Sequence, residues 1–301
     1  INSIGFLIAC SFSERVIRAV GARATLAAAF IAMTLSGVFI GTAPNYPLFT
    51  ASFFLLYLGN GVLEIGLAVV CARLFTKNTG FLMNLSHFFY GLSSTVAPLG
   101  AAAVMGWTFG GAELGWRGMY IVLLLVCAVP LLPTLLARFP EEDAAGAADE
   151  APVTWRSFLK DKVAWCVVVL LALGVTAELG AGGWMVNYLE KVHAFTPVRA
   201  SGMLSLFFLS FMIARLAFGA LTDRIGFVNS LILFAGACGV MSCVGVLIGE
   251  PGAVLLALAG AGIGPVYPTV MAFLARRYTR GTGAAITFTV TSIGILGVAG
   301  N

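Results

Sequence analysis

Long apolar runs separated by short polar connections account for most of the chain. There are ten, at roughly 2–18, 25–42, 47–72, 80–107, 118–137, 163–189, 201–220, 228–248, 253–274 and 282–301. Each is near the ~20 residues a helix needs to cross the hydrocarbon core of a bilayer. In lipid, only helices or closed barrels satisfy the backbone. Barrel strands would read as short alternating segments, whereas these runs are long and continuous. The pattern predicts an all-α, multi-pass membrane protein with ten spans. Both termini fall inside apolar runs, at Ile1 and Asn301.

The connections alternate in charge. Arg15, Arg18, Arg23, Arg73, Lys77, Arg138, Arg156, Lys160, Lys162, Arg224, Arg276, Arg277 and Arg280 fall on one side, and only Arg117, Lys191 and Arg199 on the other. The positive-inside rule makes the first side cytoplasmic. This sets an inner (plasma) membrane location with a cytoplasmic central loop. That loop, residues 139–160, is mixed in charge and rich in Ala and Pro. It divides a helical bundle at 1–138 from a second at 161–301.

The two bundles look like repeats. ERVIRAVGARATL, with Gly21, returns as GALTDRIGFVNSL, with Gly226, at an offset of 205 residues; LYLGNGVLEIG matches LALAGAGIGPVYP at an offset near 200. Internal repeats are a mark of transporter folds. If the halves are equivalent, one span is missing before Ile1 and one after Asn301. The chain then reads as a fragment of a twelve-span protein lacking its first and last helices.

Composition sharpens this reading. Hydrophobic residues make up 60% and charged residues 10%, against about 25% charged in soluble domains; mean hydropathy is +1.00. The solvent of this chain is lipid. No basic stripe with interleaved aromatics suggests nucleic acid. Six scattered cysteines without a CxxC read as small buried hydrophobes. With two histidines, and no HExxH, GxSxG or GxxxxGK[ST], the sequence supports neither an enzyme nor an ATP-driven pump. No cofactor or metal is expected.

Gly219–Ala–Leu–Thr–Asp223–Arg224–Ile–Gly226 resembles the cytoplasmic loop motif G-x-L-x-D-R-x-G of the major facilitator superfamily. The first-half copy departs from it, with Glu14 in place of Gly and Arg18 in place of Asp. Within that superfamily the likeness is to the fucose permease-like sugar:proton symporters. Gly59–Asn60–Gly61–Val–Leu–Glu64 resembles their fourth-helix G-x-G-x-L-E segment, whose glutamate takes part in proton coupling. Asn84–Leu–Ser–His87–Phe–Phe–Tyr90 resembles their fifth-helix N-L-x-Q-x-F-N segment, which contributes sugar-binding groups, with His87 for Gln and Tyr90 for Asn. The resemblance implies a major facilitator fold of two pseudo-repeated helical bundles. It also implies alternating access and proton-coupled uptake of a sugar or similar small polar solute. A proton-antiport exporter of drugs or organic anions is the alternative.

The residues support a site on their own. Glu64 lies nine residues before Arg73, about 13 Å from the cytoplasmic end, at a depth where a carboxylate is costly. It shares a helix face with Tyr57, Asn60, Ala68 and Cys71, opposite Leu63, Leu67 and Val70. There it can load a proton on one side of the membrane and release it on the other. His87 lies about 15 Å deep by the same rise and can relay a proton or bond a hydroxyl. Glu178 is a second buried acid; Gly180, Gly182 and Gly183 follow it, and loosen or break the helix. Trp184, Asn187 and Tyr188 then offer an aromatic face and a carboxamide to a sugar. Pro265 and Pro268 kink the ninth run and free carbonyls, with Tyr267 between them. Arg215, two turns before Asp223, either bonds helix-end carbonyls or snorkels to headgroups; Asp223 either caps backbone N–H groups or pairs with an arginine. Gly219 permits close helix approach. The expected proton-coupling set is therefore Glu64, His87 and Glu178. The expected solute set is Asn60, Asn84, His87, Tyr90, Trp184, Asn187, Tyr188 and Tyr267. The gate comprises Arg215, Gly219, Asp223, Arg224 and Gly226. The coupling ion is H⁺, with Na⁺ the other candidate, and a monomer is expected.

Overall fold

The computed structural model describes residues 2–139, 155–279 and 281–299. Over the described residues, all ten apolar runs are helical. Six are single helices of 19 to 29 residues: α1 (Asn2–Val20), α2 (Ala22–Thr42), α3 (Tyr46–Leu74), α4 (Thr79–Met105), α9 (Pro197–Ile225) and α10 (Phe227–Leu247). The fifth run is α5 (Gly115–Leu125), a 3₁₀ turn at Val126–Ala128 and α6 (Leu131–Leu136), interrupted before Pro130. The ninth run is α11 (Ala253–Ile263) and α12 (Val266–Arg277), broken at Gly264–Pro265 where the prolines predicted a kink. The last is α13 (Thr282–Ala299). A two-residue ladder, β1 (Thr108–Phe109) with β2 (Ala112–Glu113), turns the chain between α4 and α5.

Seven described helical segments are long and apolar enough to cross a membrane, from Ala22–Thr42 to Glu250–Arg277. The runs in α1, α4 and α13 fall outside that set. In α1, Glu14, Arg15 and Arg18 lower the mean hydropathy.

One local expectation is overturned. The glycines after Glu178 were expected to break their helix, yet α8 (Lys162–His193) runs unbroken through Gly180, Gly182 and Gly183. A helical glycine costs about 1 kcal/mol. Unpaired amides in hydrocarbon cost several, so the backbone keeps its ladder. Of the connection at 139–160, residues 140–154 lie outside the described residues. Its end forms a short helix, α7 (Trp155–Lys160), whose Phe158 is buried and stacked on Phe288.

By packing, the chain forms two compact units that do not follow linear order. The first comprises Ile1–Leu74, Thr95–Ala164 and Arg280–Asn301; the second, Phe75–Ser94 and Trp165–Thr279. In the first, α1, α2 and α3 pack together around Ile17, Leu26, Ala29, Leu63 and Val70, and α13 lies on α1 and α3. Leu63 and Val70, which sequence set opposite Glu64, are therefore core. In the second, α11 packs on α9 and α10. Its glycines make that possible: a Cβ on Gly260 would collide with the Phe207 carbonyl, and one on Gly262 would lie 2.8 Å from the Phe234 carbonyl.

The repeat seen in sequence is present in the backbone. The segment α9–Gly226–α10 reproduces α1–Gly21–α2 at the same 205-residue offset, with α2 and α10 both 21 residues long. Thr25 Oγ1 donates to the Gly21 carbonyl at 2.8 Å, and Ser230 Oγ donates to the Gly226 carbonyl at 2.8 Å.

Candidate solute site and gate

Most of the predicted site residues fall in the second unit, and several of them gather around the helix break. The α11 ladder ends at Gly264, whose N–H donates to the Gly260 carbonyl at 2.9 Å; the α12 ladder resumes when Thr269 N–H donates to the Pro265 carbonyl at 3.1 Å. Tyr267, between the two prolines, stands with its ring 5.2 Å from the imidazole of His87 on α4. Arg215 on α9 is 3% exposed. Its Nε donates to the Gly264 carbonyl at 2.8 Å and one terminal nitrogen to the His87 carbonyl at 2.9 Å. Its guanidinium lies 4.0 Å from the centre of the Phe211 ring. Arg215 therefore bonds carbonyls and does not snorkel. Glu178 is half-buried on α8.

Nearer the start of α4, Asn84 is fully buried. Its amide donates to the Gly80 carbonyl at 2.9 Å and reaches Thr269 Oγ1 at 3.5 Å; its Oδ1 has no partner among the described residues. One turn closer to the helix end, Asp223 accepts from the Gly80 and Phe81 N–H groups, both at 2.8 Å. It caps α4 through the first amides, which no helix can satisfy internally. Gly219 lets this happen: a Cβ there would be 3.1 Å from Phe81 Cα. Arg276 adds a bond to the Thr76 carbonyl at 2.8 Å. Gly226 ends α9, and Arg224 is exposed.

Other predicted residues stand apart from this cluster. Trp184 is 70% exposed and Asn187 is exposed; they lie six and nine residues beyond Glu178, about 9 and 14 Å along α8. Tyr188 turns to the end of its helix, with its hydroxyl 3.1 Å from His193 Nε2. Tyr90 is 64% exposed.

Glu64 belongs to the first unit, half-buried on α3. One turn before it, the Gly61 carbonyl receives the thiol of Cys10 on α1 at 3.7 Å. Asn60 is exposed. The degenerate loop copy has its own pairing here. Glu14 is buried, ion-paired with Arg18, and packed so that a Cβ on Gly283 would lie 2.9 Å from Glu14 Cγ. Sequence reasoning missed Thr269, Gly80 and the Gly264 carbonyl. Two signals were present: Pro268 four residues after Gly264, and Thr79–Gly80 recurring as Thr282–Gly283.

The profile of the Major Facilitator Superfamily matches residues 1–299. The chain belongs to the Major Facilitator Superfamily. It is an integral, multi-pass membrane transporter of that superfamily, which carries small-molecule substrates. A search of curated proteins found no match in sequence. Among solved structures, the chain is similar to the E. coli fucose:proton symporter FucP. The two share 18% identity at a TM-score of 0.78, over 99% of this chain and 83% of FucP. It is similar to the proton:xylose symporter XylE, at 13% identity and TM-score 0.78, over 98% of this chain and 74% of XylE. A bacterial homologue of the iron transporter ferroportin, in its outward-facing state, matches at 18% identity and TM-score 0.70, over 98% and 79% of the two chains. At these identities the likeness is one of fold.

Proposed function

We propose that this transporter moves a sugar or similar small polar solute by proton-coupled alternating access. The observation that carries the reading is the His87–Tyr267 ring pair at the α11–α12 break, with Arg215 bonded to the Gly264 and His87 carbonyls. Broken helices at membrane depth are where transporters recognise solutes. An aromatic face with hydrogen-bonding neighbours suits a polyol. The solute binds to His87 and Tyr267 and toward Trp184 and Asn187 on α8. Glu64, His87 and Glu178 are the proton-handling groups. Asn84, deep in the packing beside Asp223, acts with the gate.

In this cycle Glu64 takes a proton from outside and loses its charge. The neutral, loaded form then opens inward, where the proton leaves. The Asp223 bonds to the first amides of α4 and the Arg276 bond to the Thr76 carbonyl just before it form a cytoplasmic latch that releases in that step. H⁺ is the proposed ion, with Na⁺ the competing one. The chain works as a monomer in the inner (plasma) membrane, with its central loop cytoplasmic.

The exposed Trp184 and Tyr90 favour a second reading, an exporter of drugs or organic anions, because such cargo prefers aromatic surface. Uptake into proteoliposomes by the full-length protein decides between them. A panel of labelled hexoses is tested under an imposed pH gradient and then a Na⁺ gradient. Uptake driven by pH is expected. Uptake driven only by Na⁺ keeps the transporter and reassigns the ion, and no hexose uptake under either gradient moves the reading to export.

A further inference from the structure

We propose that Arg215 replaces the backbone N–H that Pro268 removes, and thereby holds the α11–α12 break, with Tyr267, against α4. In an α-helix the carbonyl of residue i accepts from the N–H of residue i+4. For Gly264 that residue is Pro268, which has no N–H. The ladder resumes one residue later, at the Pro265 carbonyl, so the buried Gly264 carbonyl is skipped. A buried carbonyl needs a donor, and Arg215 Nε provides it at 2.8 Å.

The same side chain reaches a second helix through the His87 carbonyl at 2.9 Å. A planar guanidinium holds its donors in a fixed fork that can serve two carbonyls in different directions, whereas an ammonium gathers its three donors on one nitrogen at the end of a flexible stem. The Phe211 ring, one turn earlier on α9, supports the guanidinium. The two residues whose carbonyls are held lie next to the ring pair: His87 bears one ring, and Gly264 is three residues before Tyr267, which bears the other. Arg215 is thus a positioning residue. It sets the distance between the His87 and Tyr267 rings without contacting the solute. This rests on the transporter reading only in treating the break as a moving part.

The pairing with Pro268 makes a specific test. Pro268→Ala restores an N–H at residue 268 and gives the Gly264 carbonyl a backbone donor. Arg215 then has less to do at the break. Amide hydrogen exchange is measured on the full-length protein in nanodiscs, over residues 266–272, for R215Q and R215K with and without P268A. With Pro268 present, R215Q is expected to speed exchange by about tenfold or more. In the P268A background the same change is expected to speed it about twofold or less. If R215Q fails to fold, R215K, which keeps the charge but not the fork, carries the same comparison. Equal acceleration in both backgrounds would overturn the proposal, because a purely structural arginine would be insensitive to residue 268. Transport is not used in this measurement, so its failure is distinct from a failure of the sugar-uptake reading.

Discussion

Gly21 and Gly226 hold the same backbone conformation 205 residues apart, with φ 86°, ψ 156° at one and φ 85°, ψ 153° at the other. Side-chain-bearing residues essentially do not occupy this region. Each glycine makes a one-residue turn between two helices, and nothing lies within 4 Å of where a Cβ would stand at either. Replacement is therefore costly through the backbone and not through collision. Gly21→Ala and Gly226→Ala should each destabilise the protein by about 1–3 kcal/mol, by similar amounts, in thermal unfolding of the purified protein. A neutral result at either position would refute the strained-turn account.

Asp223 holds two amides at the start of α4. Asn keeps one acceptor oxygen and loses the charge, so Asp223→Asn should cost about 1 kcal/mol. It should also loosen the helix end. A cysteine placed at the buried Thr79 is expected to react faster with a membrane-impermeant maleimide in D223N than in its parent. Unchanged labelling would mean the cap does not control access.

Glu14 and Gly283 are packed as a complementary pair. Gly283→Ala should be destabilising alone and less so once Glu14→Ala has cleared the space. A coupling of about 1 kcal/mol is expected from the double-mutant cycle. Additive effects would show that the two residues do not share this contact.

The α9–α11 crossing depends on Gly260, where a Cβ has no room against the Phe207 carbonyl. Overpacking of this kind costs about 1–3 kcal/mol, and Gly260→Ala should reach the upper end or prevent folding. Gly236, in mid α10 with nothing within 4 Å of its Cβ position, is the control. There an alanine should be neutral or stabilising by about 0.5–1 kcal/mol. Melting curves of the two variants separate packing from propensity.

Glu64→Gln removes a titratable group while preserving shape. In the proposed cycle it should spare solute exchange across proteoliposomes and abolish accumulation against a gradient. Persisting pH-driven accumulation in E64Q would remove Glu64 from the coupling role.

Much of the fold was readable without coordinates because lipid imposes a strong constraint. A backbone that cannot bond water must be helical, so apolar run length alone located α2, α3, α9 and α10. The prolines at 265 and 268 located the break, since they lack N–H groups. The glycines after Glu178 misled, because flexibility matters less in lipid than unbroken pairing. Residue identity also brought His87, Arg215, Glu178 and Tyr267 forward as candidates, because polar groups at membrane depth are rarely idle.

Partnership was another matter. The chain order places α4 in the first half and α9 in the second, yet the start of α4 packs in one unit with α9 and α12. Nothing in linear spacing says that Asp223 meets Gly80, that Arg215 chooses Gly264 and His87, or that Asn84 is sealed beside Thr269. Local rules act over three or four residues and are written in the chain. Contacts between residues far apart in the chain depend on which helix surfaces fit. That fit is set by the small residues Gly219, Gly260 and Gly262, whose effect is felt only when a second backbone lies against them.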